Sequence, residues 1–378
     1  MGYKLLVINW QDITHPLGGG AEVHLHQIFR RLVKRGHSVT LLCCTYPGAK
    51  PEEVLDGIHI IRRGSRSFFN FIVPFMYRKL CQQHQFDIVF DDINKIPFYT
   101  PLYVRKPLVA IVHHFFGYRI FQETNLAVAY YVFLCERIVP LIYRNVPFIA
   151  VSPSSTNELE AMGIERNRIE IVHNGVDCRH YQPGLHPKSD VPLIGYVGRI
   201  KRYKSVEHII LAMEKVVQAI PAAELVIVGD GDNLDALKRI TAEQHLTGKV
   251  HFTGAVSEED KIRYFNKMWV SVNPSPKEGW GIVVIEANAC GTPVIAADSP
   301  GLRDSVSDGV SGYLYPYGNI EKLSEKLIRL LNDRSERERL SRQAVKWSQQ
   351  FDWNVSAEKT ERLIENNLFD SREALHVS

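Results

Sequence analysis

The sequence is poor in the features that would tie it to a metal, a disulfide framework or a bilayer. Its 378 residues include six cysteines, Cys43, Cys44, Cys81, Cys135, Cys178 and Cys290, with no C-x-x-C pair among them. Most fall in apolar runs such as LLCC. That pattern excludes a zinc ribbon and predicts buried, reduced thiols, as in a cytoplasmic protein. No hydrophobic run reaches the roughly 20 residues of a spanning helix. The most apolar, Leu126 to Cys135, stops at Glu136 and Arg137. The opening MGYKLLVINWQD is too short and too soon interrupted to read as a signal peptide. An excess of one charge is missing as well. The 45 basic and 42 acidic residues leave +3, which disfavours nucleic acid as a partner. Asp91-Asp92 and Asp230-Gly231-Asp232 mimic metal ligands but lack a nearby His or Cys, and the second suits a turn. No metal is expected.

What is present is alternation. Tyr3–Trp10 reads as a strand, followed by the turn Thr14–Gly20 and a helix with Leu25, Ile28, Phe29, Leu32 and Val33 on one face. Ser38–Cys44, Phe86–Phe90, Leu108–Val112, Phe148–Val151 and Ile169–Val172 are further apolar runs. Such runs, separated by helices, predict a parallel sheet covered on both faces. A Pro- and Gly-rich stretch, Tyr181–Asp190, then reads as a linker, and a second strand–helix series begins at Val191. The fold class is therefore α/β, with two open Rossmann-like units expected to face across a cleft. The expected boundaries are 1–182 for the first domain and 183–354 for the second, with a helical tail of about 355–378. Residues 1–185 carry 20 Lys/Arg and 15 Asp/Glu, a net of +5, and the remainder 25 and 27, a net of −2.

Three segments can carry chemistry. In Asn273–Ile295, a strand runs into a glycine loop and then a helix starting near Ile282, with Glu278 in the loop and Glu286 on the helix. A helix N-terminus behind glycines suits a phosphate, and the two carboxylates suit sugar hydroxyls. Gly198-Arg199-Ile200-Lys201-Arg202-Tyr203-Lys204 follows the strand PLIGYVG and forms an anion site at its carboxyl end. Gly18-Gly19-Gly20 is a second phosphate-approach loop, although G-x-G-x-x-G is absent. His113-His114 ends the strand Leu108–Val112, a position that by itself more often serves a structural hydrogen bond than catalysis.

Together these residues resemble glycosyltransferase family 4, the retaining enzymes of GT-B fold, over nearly the whole chain. Glu278 and Glu286 match the family's E-x7-E element within SPKEGWGIVVIEANACGTPVIA, and Gly198-Arg199 with Lys204 match its G-R-x-x-x-x-K element. The resemblance implies that Arg199 and Lys204 hold the donor diphosphate and that Gly19 and Gly20 close over it. It implies that Glu278 meets the donor sugar, that the backbone of Gly279, Trp280, Gly281, Ile282 and Val283 meets sugar and phosphate, and that Glu286 accepts from the ribose. Val256 lies in the loop expected to meet the base. His113, rather than His114, is the expected partner of sugar and acceptor. Neither a cofactor nor a metal is implied, and the last helix crosses back to the first domain. Trp280 replaces the more usual Phe. In Ser299–Asp304 the usual second glycine and Glu are not both present, and Asp304 is the substitute.

The resemblance implies a hexosyltransferase acting from a nucleotide-diphosphate sugar, UDP-glucose by base rate and GDP-mannose as the rival. A catalytically silent nucleotide-sugar-binding protein and a sugar phosphorylase are the other readings; the second would need a pyridoxal-phosphate lysine and a longer chain. Arg62–Phe71 mixes cations with aromatics, Arg78-Lys79 follows, and Phe115–Tyr143 is aromatic-rich. These segments fit a seat on anionic lipid and equally a buried helical face. The lipid reading makes a lipid-linked sugar or polysaccharide precursor the acceptor, and the protein cytoplasmic or peripheral on the membrane's cytoplasmic face.

Overall fold

Parallel strands with apolar residues on both faces need helices above and below, and the chain supplies them. A computed structural model describes residues 2–94 and 96–377, apart from the side chains of 122, 123 and 370–377. Residue 378, the end of the expected tail, lies outside the described residues. The chain divides into two compact units, 1–174 with 353–378, and 175–352.

The first unit begins β1 (Lys4–Ile8), α1 (Gly20–Lys34), β2 (Ser38–Cys43), β3 (Glu52–Leu55) and β4 (Ile58–Arg62). It continues through α2 (Phe69–Gln83), β5 (Ile88–Ile93), β6 (Leu108–Val112), α3 (Ile120–Glu123) and α4 (Leu126–Ile142). After β7 (Phe148–Ala150), α5 (Pro153–Ala161) and β8 (Ile169–Ile171), the chain leaves for the second unit. The second unit contains β9 (Leu193–Val197), α6 (Glu207–Ala219), β10 (Glu224–Val228), α7 (Leu234–Glu243) and β11 (Val250–Gly254). Then come α8 (Glu258–Lys267), β12 (Val270–Asn273), α9 (Ile282–Ala289), β13 (Val294–Asp298) and α10 (Leu302–Ser305). It ends in β14 (Gly312–Pro316), α11 (Ile320–Asn332) and α12 (Arg334–Ser348), before the long α13 (Trp353–Val377) of the first unit.

The first sheet has the order β3-β4-β2-β1-β5-β6-β7-β8 and the second β11-β10-β9-β12-β13-β14. All described pairings are parallel except β3 with β4. That hairpin falls where no strand is expected from hydrophobic runs. It turns on Asp56 and Gly57, both at positive φ, the dipeptide favoured in two-residue hairpin turns.

Strand alternation sorts the first unit's core into two layers. Leu5, Val7, Ile88, Phe90, Val109 and Ile111 meet Ile28, Phe29 and Leu32 of α1 on one face. Leu6, Ile8, Val89, Leu108 and Ala110 meet Val73 and Leu80 of α2 and Val139 of α4 on the other. Helix α13 completes the α1 side: Trp353, Ile364 and Leu368 join that layer, and His37 Nε2 pairs with Glu361 at 2.9 Å.

Two expectations are corrected here. The units divide at 174/175 instead of 182/183, because Val176 N–H donates to Phe351 O at 2.8 Å and Tyr181 is buried within the second unit. Arg62 is no surface cation: its Nε donates to Asp12 Oδ2 at 2.7 Å and its guanidinium reaches Glu53 at 2.6 Å, with both Arg62 and Asp12 side chains buried. Phe69 and Tyr143, from the two segments considered for lipid contact, are fully buried as well.

Ile364 has no exposed surface. Ile364→Ala is expected to cost about 2–4 kcal/mol, read as a lower urea midpoint and faster hydrogen exchange in β1 and α1. Unchanged exchange there would mean that α13 contributes nothing to the first unit's core.

Candidate functional site

In parallel sheets the loops at the strands' carboxyl ends make the ligand site, above all where strand order reverses. In the second unit that reversal lies at β9, between β10 and β12. Gly198–Lys204 leaves β9, Pro274–Gly281 leaves β12, and Ser299–Gly301 leaves β13. The structure thus brings together, within this one unit, the segments carrying Arg199, Lys204, Glu278 and Glu286.

Lys204 Nζ forms an ion pair with Glu278 Oε1, both side chains being mostly buried, and lies 5.1 Å from the centre of the Tyr203 ring. Arg199 is exposed, donates to the Tyr203 hydroxyl at 3.3 Å, and has no carboxylate partner among the described residues. Lys201, from the same basic cluster, is instead bound to Asp232 at 2.6 Å. Asp230 accepts from the Gly231 N–H, which is turn geometry. Among the described residues no group of three His, Cys, Asp or Glu could hold a metal ion.

The Glu278 loop is set by close backbone approach. Glu278 N–H donates to Pro300 O at 3.0 Å, and a Cβ on Gly301 would lie 2.2 Å from Glu278 O. Gly301 has φ +80°, which glycine tolerates, so both space and conformation fix this residue. Asp304 lies on α10, half-buried. Gly281 caps α9 at φ 95°, leaving the helix to start at Ile282 with Val283 in its first turn. The Trp280 ring packs edge-on to Phe351, and the residue is buried at 2% exposure. Val256 is half-buried just beyond β11.

Glu286 is the most deeply placed carboxylate of the site, 7% exposed on α9. Its Oε1 accepts from Lys261 Nζ and from the Tyr181 hydroxyl, each at 3.0 Å. Its Oε2 is buried and accepts from no group among the described residues. Burial disfavours the Lys261 ammonium, but Glu286 and Glu258 outweigh it and raise its pKa. Burial and the same two carboxylates hold the Tyr181 phenol protonated. Sequence reading missed both partners: Tyr181 lies in a segment read as linker, and nothing in the spacing joins α8 to α9.

The first unit carries its own cluster. His113, buried one residue beyond β6, places Nε2 3.1 Å from Asp92 Oδ1, and its carbonyl accepts from Ser155 Oγ at 2.7 Å. The His24 ring meets His113 edge-on, 5.0 Å between centres, and His24 Nδ1–H donates to Asn174 Oδ1 at 2.5 Å. Full burial and neighbouring His113 drive the His24 pKa down to about 3. His114 lies half-buried, edge-on to Phe116. In the glycine turn, Glu22 accepts the Gly19 N–H at 2.7 Å and closes a capping box on α1, while Gly20 is exposed. Asp92, dismissed as a metal mimic, is thus the group that orients His113. A run of acids inside a buried strand was the available signal.

Comparison with known proteins gives these features a family. Residues 18–180 match the Glycosyltransferase Family 4 model and residues 180–347 the Glycosyl transferases group 1 model. The chain therefore belongs to the group 1 glycosyltransferases, enzymes of GT-B fold with a family 4 first domain. It is 32% identical over 215 residues to a D-inositol 3-phosphate glycosyltransferase of Nocardia farcinica, a match covering 53% of this chain and 48% of that protein. The chain thus spans about half the length of this curated relative. Sucrose-phosphate synthase of Thermosynechococcus elongatus shares its fold at TM-score 0.81 and 21% identity, over 100% of both chains. So does Anabaena HepE in complex with UDP and glucose, at TM-score 0.76 and 18% identity, covering 96% of this chain and 100% of that one.

Two outcomes test the geometry. Lys261→Met strands the Glu286 carboxylate and is expected to cost about 2–3 kcal/mol in urea unfolding, with Lys261→Met/Glu286→Leu recovering most of it. An undiminished loss in the double variant would show that the pair is not what the single change breaks. His24 is neutral in the fold with a pKa of about 3, against about 6.5 unfolded. Between those values only the unfolded chain takes up the proton, so stability rises with pH and levels off above about 6.5. The His24 share of that slope is at most about 1.4 kcal/mol per pH unit. Urea titrations at several pH values should show the slope flattened in His24→Asn.

Proposed function

We propose that the protein transfers a hexose, with retention, from a nucleoside diphosphate sugar to a lipid-linked sugar or polysaccharide precursor, with UDP-glucose as donor. The observation that carries this reading is the juxtaposition, around one sheet edge, of Arg199 with no carboxylate partner among the described residues, the Lys204–Glu278 pair, and Glu286 on α9 with its buried, unpartnered Oε2. An anionic diphosphate fits the two cations. Their fixed charge stabilises the leaving group as it departs, and no metal or cofactor is invoked. Glu278 then serves the sugar hydroxyls, and Glu286 Oε2 accepts from the ribose. The backbone from Gly279 to Val283 serves sugar and phosphate, with Gly198 beside Arg199, and Val256 lies toward the base.

For the first unit, the reading keeps what the resemblance implies. His113, oriented by Asp92, serves the transfer, and the Gly19–Gly20 turn serves the phosphates. A uracil base and a glucosyl group are supported by likeness to HepE, which was solved with UDP and glucose. GDP-mannose is the rival donor. No helix among the described residues is long and apolar enough to cross a membrane, and the reading places the protein at the cytoplasmic side, where such donors are found.

Thermal melting with UDP, GDP, ADP and their sugars decides the donor, because a ligand that binds only the folded state raises its stability. A shift selective for uridine nucleotides, lost in Arg199→Ala and Glu286→Ala, is the expected result. A shift confined to GDP and GDP-mannose would transfer the reading to a mannosyltransferase. Binding without turnover of any donor would leave a silent binding protein, and no shift with any nucleotide would overturn the reading.

A further inference from the structure

A soluble surface helix ordinarily turns its polar side outward. Helix α4 does not. Its inner side, with Ala129, Val132, Cys135 and Val139, is buried. Yet Tyr131, Leu134, Ile138 and Leu141, at i, i+3, i+7 and i+10, line its outer side. On α2, Phe71 and Phe75 are equally bare. These six side chains are 42% to 73% exposed. Asn70 Nδ2 donates to the Tyr131 hydroxyl at 2.9 Å, which joins the start of α2 to the middle of α4. Large apolar residues on two tied helix faces form a patch, which scattered surface hydrophobics do not.

The stretch of chain that carries it has an excess of cations. Between residues 64 and 144 the sequence holds nine Lys/Arg and five Asp/Glu. Three of those acids, Asp91, Asp92 and Glu136, are buried. Arg78 and Lys79 follow Phe75 and are exposed. Arg137, exposed among the outer residues of α4, lies over the Phe133 ring at 5.0 Å and reaches the Tyr118 hydroxyl at 3.2 Å, with no carboxylate partner among the described residues. Aromatic and aliphatic side chains to enter the acyl boundary, with cations at headgroup level, are the composition of an interfacial helix. At 17 residues, with Glu136 and Arg137 inside, α4 is too short and too charged to span.

We infer that the α2–α4 face of the first unit docks on an anionic lipid bilayer, with α4 lying in the plane of the interface. This supplies the proposed transferase with the surface that bears a lipid-linked acceptor, and it rests on the first unit alone. It draws on the segments for which the sequence left lipid contact and a buried face equally open, without Arg62, Phe69 and Tyr143, which are buried.

Co-sedimentation of the full chain with vesicles tests it, using phosphatidylcholine alone and phosphatidylcholine with about 30% phosphatidylglycerol. The expected result is capture by the anionic vesicles at about 0.1 M salt, weakened at 1 M. Leu134→Glu/Leu141→Glu should cut it at least tenfold, roughly the cost of placing charge in the apolar layer. Arg78→Glu/Lys79→Glu, a surface change that leaves the core intact, should reduce it as well. Capture of neither kind, or capture unchanged in both variants, would overturn the inference. So would a wild-type dimer by light scattering that Leu134→Glu/Leu141→Glu converts to monomer, which would give the face to a second copy. Melting shifts with UDP, measured on the same samples, report the folded second unit, so failure of docking and failure of the donor reading are told apart.

Discussion

A parallel strand cannot return to its neighbour by a tight turn. Each must be followed by a crossover, and every crossover begins at the same edge of the sheet. The second unit is organised by that constraint. Its loops after β9, β12 and β13 start within one edge although they lie up to a hundred residues apart in the chain. Lys204 and Glu278, 74 positions apart, meet there as an ion pair. The donor chemistry proposed for the protein therefore depends less on any single motif than on the direction in which the strands run.

Two buried ion pairs show how differently the same interaction is used. Asp12 and Arg62 are closed on themselves: the guanidinium reaches Asp12, Thr14, Glu53 and the Lys50 carbonyl, and neither of the two side chains is exposed. Such a network fixes the end of β4 against the loop after β1. Lys261 and Glu286 are left open on one side, with Oε2 buried and unsatisfied. An unmet acceptor in a low-dielectric site is costly unless a partner arrives, and a hydroxyl-bearing ligand is such a partner. Completeness distinguishes the first pair from the second, whose unmet acceptor is the one the proposed donor reading uses.

Local pattern made much of this legible. The strand at Leu108–Val112 was readable from its apolar run, and the loop from Glu278 to Glu286 is contiguous in sequence, so its order survives without knowledge of packing. Side-chain partners from other elements were not readable. Tyr181 resembles linker and Lys261 an ordinary helix cation until α8 and α9 are packed together. The β3–β4 hairpin lacks a long hydrophobic run and had only Asp56-Gly57 to announce it. Arg62 was misjudged for a related reason: a basic cluster on paper says nothing of which member turns inward toward Asp12. The apolar surplus of α4 was visible, but periodicity alone cannot tell a helix buried on both sides from one left bare on the outside.

Helix α13 gives the molecule an order of assembly. The first unit emerges from the ribosome first, yet one layer of its core includes Trp353, Ile364 and Leu368. Between Asn174 and Trp353 lie the 178 residues (352 − 175 + 1) of the second unit. At roughly 5–20 residues per second of synthesis, the earlier unit waits on the order of ten to forty seconds with that layer incomplete. The later-made unit, uninterrupted in sequence, meets no such delay. The sequence of the second unit is thus complete before that of the first, and until then the α1 side of the amino-terminal sheet lacks its α13 cover.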